Sequence, residues 1–156
     1  MNRYQRSFVL VAMLVLAGCA ADARQASHAT VATAPSAKHR ADAWLANGSA
    51  IYHTGRDFRG IRIAAKQPPL MPSCEACHGA TGAGGLHLPG GAVSADLRYR
   101  TLVSSQKHPY TQTLLERAIA RGIDDDGDTL ASVMPRWKLS ARDLHDVAYY
   151  VLHKLK

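Results

Sequence analysis

Five consecutive residues carry the strongest chemical signal in the chain: Cys74-Glu75-Ala76-Cys77-His78. Two thiols three positions apart, followed at once by an imidazole, are what covalent attachment of a haem requires. The thiols can add to the two vinyl groups on one edge of a porphyrin, and the adjacent histidine is then forced beneath the iron as an axial ligand. Two other chemistries use these residue types. A redox C-x-x-C expects a βαβ context that the flanking sequence lacks, and a zinc half-site expects a second cysteine pair. The third cysteine, Cys19, stands alone, and Cys74 and Cys77 lie within one turn of chain, which argues against a disulfide framework.

Haem attachment of this kind belongs outside the cytoplasm, and the N-terminus independently reads as an export signal. Arg3 and Arg6 precede the apolar run Phe8 to Ala17, which is too short to span a bilayer. The run ends Leu16-Ala17-Gly18-Cys19, similar to a bacterial lipobox, so residues 1–18 are expected to be removed and Cys19 to become a lipid-modified N-terminus. Ala20 follows, where an inner-membrane lipoprotein is expected to carry aspartate, and this slightly favours the outer membrane. Residues 19–41 turn to Ala, Ser, Thr, His and Arg without core-forming periodicity and read as a flexible tether with a reach of about 25 Å. The folded domain is expected over 42–156.

A chain of 156 residues with 20% charged and 47% hydrophobic residues has material for one core. The formal charge of +7 falls by two when Arg3 and Arg6 leave with the signal. No lysine-arginine block or aromatic-basic interleaving accompanies it, which sets nucleic acid aside as a partner. Three helices are predicted. Residues 42–53 place Trp44, Leu45, Ile51 and Tyr52 on one face despite Gly48. Thr111 to Arg121 does the same with Leu114, Leu115, Ala118 and Ile119, and Gly122 follows as a C′ residue. The last helix opens with a capping box, Ser140 to Asp143, with Leu139 and Leu144 as a hydrophobic staple. Leu144, Val147, Ala148, Val151, Leu152 and Leu155 then form its apolar stripe. No segment alternates like a strand, so the expectation is an all-α domain of about three to five helices with long loops.

With these elements in place, residues from about 43 to 155 resemble class I c-type cytochromes. The resemblance rests on Cys74 to Gly79, on Gly82 and Gly84-Gly85, and on Met134-Pro135-Arg136-Trp137-Lys138-Leu139-Ser140 running into the last helix. It implies a small α-helical domain around one covalent haem c, with His78 and Met134 as the axial iron ligands. Met71 is the rival thioether, three residues before Cys74. A histidine (His53, His87 or His108) or an open sixth position is the other alternative. It further implies that the Pro89 carbonyl orients the His78 ring. Trp137, three residues past Met134, could donate its indole N–H to a haem propionate and Arg98 or Arg136 could pair with one; plain packing or a solvated surface position is the alternative for each. A thioether ligand favours Fe(II) and raises the potential.

The chain departs from that family in the 54–73 insertion between the first helix and the C-x-x-C-H. Its Arg56, Arg59, Arg62 and Lys66 are expected to form a basic loop beside the haem edge, either docking a partner or covering the crevice. Asp124, Asp125, Asp126 and Asp128 read as a solvated turn, not a calcium loop, because the glycine is at 127 and no downstream glutamate follows. His28 and His39 fall in the tether, and His145 and His153 read as surface residues of the last helix. The leading function is single-electron transfer, as a membrane-tethered carrier or the electron-transfer subunit of a periplasmic dehydrogenase, through transient docking with redox partners. The alternatives are a haem enzyme or sensor of peroxide or gas with an open sixth site, and a lipoprotein in which haem is structural.

Overall fold

The computed structural model describes residues 34–156. The export signal 1–18, the Cys19 anchor and the tether as far as residue 33 lie outside the described residues. Those that are described are mostly helical, with one small ribbon: α1 (Ala37–Thr54), β1 (Ala64–Ala65), α2 (Glu75–His78), α3 (Gln112–Arg121), β2 (Trp137–Lys138) and α4 (Ala141–Lys154). A 3-10 turn at Pro89–Gly91 and a π turn at Arg100–Ser104 interrupt the long connection between α2 and α3. No helix among the described residues is long and apolar enough to cross a membrane.

α1 begins five residues before the expected start, so 37–41 are helix and not tether. Ser36 is its N-cap, accepting from the His39 amide, and Lys38 pairs with Asp42 at i,i+4 over 2.6 Å. His39 accordingly sits on a helix. The two strands are the other departure from an all-α domain. Each has only two residues, too few for a period-2 pattern to register, and they pair antiparallel with Ala64 opposite Lys138 and Ala65 opposite Trp137. α3 and α4 form as expected. Thr111 and Ser140 accept from the amides of Leu114 and Asp143, and Gly122 closes α3 in the left-handed conformation.

α1 crosses α4 at Gly48. A Cβ there would run into the Asp146 carbonyl and the Tyr150 Cβ, so only glycine allows this approach. Beside it the buried Asn47 donates from Nδ2 to Asp143 (3.0 Å) and Asp146 (2.7 Å), and its Oδ1 accepts from the Phe58 amide (2.9 Å). Trp44 meets His145 and Tyr149 edge-on, with ring centroids 4.6 and 5.3 Å away. The core proper is Ile51, Tyr52, Leu102, Leu115, Ile119, Trp137, Val147, Ala148, Val151, Leu152 and Leu155. These include most of the residues picked out by helical spacing; Leu114, Leu144, Trp44 and Leu45 are only half-buried.

Candidate functional site

The C-x-x-C-H run folds as a single helical turn. His78 and Cys77 donate their amides to the Cys74 carbonyl at 2.9 and 3.2 Å, and Gly79 donates to Glu75 at 2.7 Å. Positions 74, 77 and 78 therefore share one side, as i, i+3 and i+4 do on any helix. That side faces a cavity of about 1180 Å³, open mouth included, whose walls carry Cys74, Cys77 and His78. No disulfide joins the cysteines. Burial pushes the Cys74 thiol up to about 12 and raises Cys77 as well, the reverse of an activated thiolate. Burial also holds the His78 pKa below its ordinary value, opposed in part by a hydrogen bond from Nδ1 to the Ala95 carbonyl at 2.8 Å, so the ring is neutral.

That hydrogen bond corrects the role expected of Pro89. The chain from Gly85 to Ser94 doubles back on itself, with the Gly85 amide donating to the Ser94 carbonyl, the Ser94 amide to the Leu86 carbonyl and the Leu88 amide to the Ala92 carbonyl. Pro89 is at the exposed tip of this loop, while Ala95 is at its base, against His78. Gly84 lets the base come close, because a Cβ there would collide with the carbonyls of Ser94 and Ala95. A backbone carbonyl carries no residue-type signal, which is why Ala95 was not legible in the sequence.

Both candidate thioethers, Met134 and Met71, line the same cavity, together with Trp137. His53, His87 and His108 do not. His53 bridges Glu75 (2.6 Å) and the Tyr150 hydroxyl (2.8 Å), and the exposed His108 pairs with Asp126. Trp137 is buried. The remaining walls are apolar, including Leu97, Leu102, Leu115, Val147 and Val151. Tyr52, fully buried, also reaches the wall and donates its hydroxyl to the Gly79 carbonyl at 2.7 Å, tying α1 to the end of the C-x-x-C-H turn.

The two arginines considered for anion pairing are otherwise engaged. Arg98 holds Asp96 through Nε and Nη2 at 2.9 and 2.5 Å, which keeps that carboxyl well below its usual range. Arg136 donates to the carbonyls of Leu130 (2.7 Å) and Met134, and its own carbonyl accepts from the Lys66 amide at 2.9 Å. Arg136 thus braces the loop that carries Met134.

The insertion contributes only a small part of the wall. Of residues 54–73, only Leu70, Met71 and Ser73 reach the cavity wall; Arg56, Arg59, Arg62 and Lys66 line no part of it. Asp57 and Asn47 pin the 57–61 turn against α1, and β1 is held by β2. The four aspartates of 124–128 close a reverse turn, with Asp128 donating to the Asp124 side chain at 2.7 Å. Among the described residues no three His, Cys, Asp or Glu side chains converge to hold a bare metal ion. A scan against protein-family models and a search of curated proteins each found no match to the chain.

Proposed function

We propose that this chain is a single-haem c-type cytochrome that carries one electron at a time between redox partners in the bacterial cell envelope. One observation carries the reading: a single apolar cavity is walled at once by Cys74, Cys77, His78 and Met134. The residues fit the group. The cavity is walled almost throughout by hydrocarbon, as a buried porphyrin face would require. The neutral thiols at 74 and 77 stand three positions apart on one side of a turn, as thioether attachment at a porphyrin edge demands.

When bound, haem supplies a one-electron couple at its iron. The chain's own residues do the rest. His78, with Nδ1 engaged by Ala95, keeps Nε2 as its ligating nitrogen and has its ring orientation set. Met134 supplies a soft, neutral sulfur that favours the reduced state, and Arg136 steadies the loop presenting it. Trp137 has an indole N–H to offer a propionate. Apolar walls from α3 and α4 exclude water, which limits the reorganisation that accompanies a change of charge. His78 and Met134 would both hold the iron and would leave no open position for a substrate, which favours a carrier over a haem enzyme or gas sensor. Anchoring through Cys19 would keep the domain at a membrane facing the periplasm.

The test is an optical spectrum of the purified protein, oxidised and reduced, with pyridine titration and a denaturing gel stained for haem. The expected result is one covalent haem per chain, split α and β bands on reduction, and no carbon monoxide binding. Absence of covalent haem from protein made with the attachment machinery present would refute the reading.

A further inference from the structure

We propose that the tip of the 55–62 hairpin docks on an anionic lipid surface, with Phe58 and Ile61 entering the interface and arginines holding the phosphates around them. The inference stands apart from the haem reading, since none of these residues touches the cavity.

The tip is rigid and exposed at once. Asp57 is 3% exposed, and its Oδ1 accepts from the amides of Arg59 (2.9 Å) and Ile61 (2.8 Å). Its own amide donates to the Ile61 carbonyl, and the neighbouring Phe58 amide donates to Asn47. A turn fastened in this way could bury its apolar side chains. Instead it holds Phe58 and Ile61 each 55% exposed.

Cations predominate around the tip: Arg59 is paired with Asp57 and Arg142 with the buried Asp146, and Arg56 and Arg62 face no carboxylate among the described residues. Arg56 and Arg62 lie directly opposite each other in an antiparallel bridge, where like charges repel. The guanidinium groups of Arg142 and Arg59 lie 5.1 and 5.7 Å from the centre of the Phe58 ring. Asp57, the sole carboxylate between Gly55 and Lys66, is turned inward to the turn and to Arg59. An opposed arginine pair with no exposed acid beside it is a poor arrangement for a free surface and a good one for an anion across it.

The layering favours lipid over protein. Apolar side chains at the apex with cations a residue or two behind match the order of acyl boundary and phosphate met by a group entering a bilayer interface. A stable protein interface needs on the order of 1,000 Å² of well-matched surface, which the apex of a narrow turn does not offer. A lipid surface needs no matching shape. Each arginine near an anionic leaflet contributes modestly, so the tip orients a tethered domain more than it recruits a free one.

The experiment uses the chain from residue 20 onward, exported behind a cleavable leader so that no acyl group contributes, and co-sedimented with vesicles. Phosphatidylcholine vesicles with and without phosphatidylglycerol are compared at low and high salt. The wild type is expected to bind the anionic vesicles preferentially and to be released by salt. Phe58→Ser with Ile61→Ser, and separately Arg56→Gln with Arg62→Gln, should each weaken binding by about tenfold. Removing two charges elsewhere, Lys107→Gln with Arg121→Gln, should leave it nearly unchanged. Matching far-UV circular dichroism checks that each variant is folded. Equal losses from the two charge-removing pairs would reduce the effect to net charge and overturn the proposal. So would indifference to phosphatidylglycerol, or binding to polyglutamate without binding to vesicles, the last assigning the tip to an acidic protein instead.

Discussion

α4 serves two regions at once, and they are built on opposite principles. One stripe of it, Asp143, Asp146 and Tyr150, meets α1 around Gly48 and Asn47; the adjoining stripe, Val147 and Val151, walls the cavity of Cys74, Cys77 and His78. At the crossing, every buried polar group named above has a partner. Asn47 satisfies two carboxylates and an amide, and Asp146, completely buried, also has His145 at 3.2 Å and Arg142 at 3.7 Å. Such a network specifies one register between helices, because a slip of a single residue would leave charges unpaired in the interior. The cavity specifies nothing of the kind by itself. Its walls are hydrocarbon, non-directional, and stabilised in proportion to the apolar area covered. The crossing therefore sets where the helices are, and the cavity sets what they can hold.

The contrast is broken most severely at the cavity. Replacing Cys74 and Cys77 together by serine should abolish covalent haem, read as complete loss of the haem stain in a denaturing gel. Thermal unfolding of the same variant should fall well below that of the loaded protein, since a group bound only to the folded state stabilises it. Unchanged thermal stability would show that the cavity contributes nothing through its occupant.

At the crossing, Gly48→Val places methyl groups against the Asp146 carbonyl and the Tyr150 Cβ. It should cost about 3 kcal/mol in denaturant unfolding, with any haem still attached. Asn47→Ala leaves two buried carboxylates and the Phe58 amide without their partner and should cost about 2 kcal/mol. Asn47→Asp should be no better, since it adds a third carboxylate where a donor is needed.

Met134→Ala is expected to leave attachment intact. It should remove the weak sulfur-to-iron charge-transfer band of the oxidised protein, lower the potential and admit carbon monoxide. Survival of the band would move the ligand to Met71, which lines the same cavity.

The smallest effect concerns acid. Burial works to raise the Asp57 pKa, but hydrogen bonds from the Arg59 side chain and from the amides of Ile61 and Arg59 outweigh it and leave the carboxyl below its ordinary value. Its contribution to stability is present above the unfolded value of about 3.9 and is lost as pH falls from there through the folded value. Asp57→Asn should therefore lose less stability than the wild type on acidification below about pH 4, as measured by urea unfolding at a series of pH values. Parallel losses would exclude Asp57 as a contributor.

Much of the site is a matter of adjacency in the chain, and adjacency is legible. Cys74, Cys77 and His78 share a side because a helical turn puts i, i+3 and i+4 together, whatever the rest of the fold does. Ser140 caps α4, Gly122 ends α3, and the stripe from Val147 to Leu155 is buried, because caps and periodicity act within a few residues. The residues that tertiary structure decided are those whose partners lie far away in sequence or present only backbone. Ala95, not Pro89, orients His78, because a folded-back loop carries one to the ring and the other to the solvent. Gly48 looked like a flaw in a helix and is the contact that lets α4 approach. Asp57 fastens the tip of the inserted hairpin, whose arginines line no part of the cavity, which no count of them could reveal. Residue type and spacing thus determined the chemistry available at Cys74, Cys77 and His78. Which carbonyl orients the ring, which sulfurs share the cavity and where the basic hairpin lies were settled only by long-range packing, since loop closure and helix approach depend on contacts that local propensity does not encode.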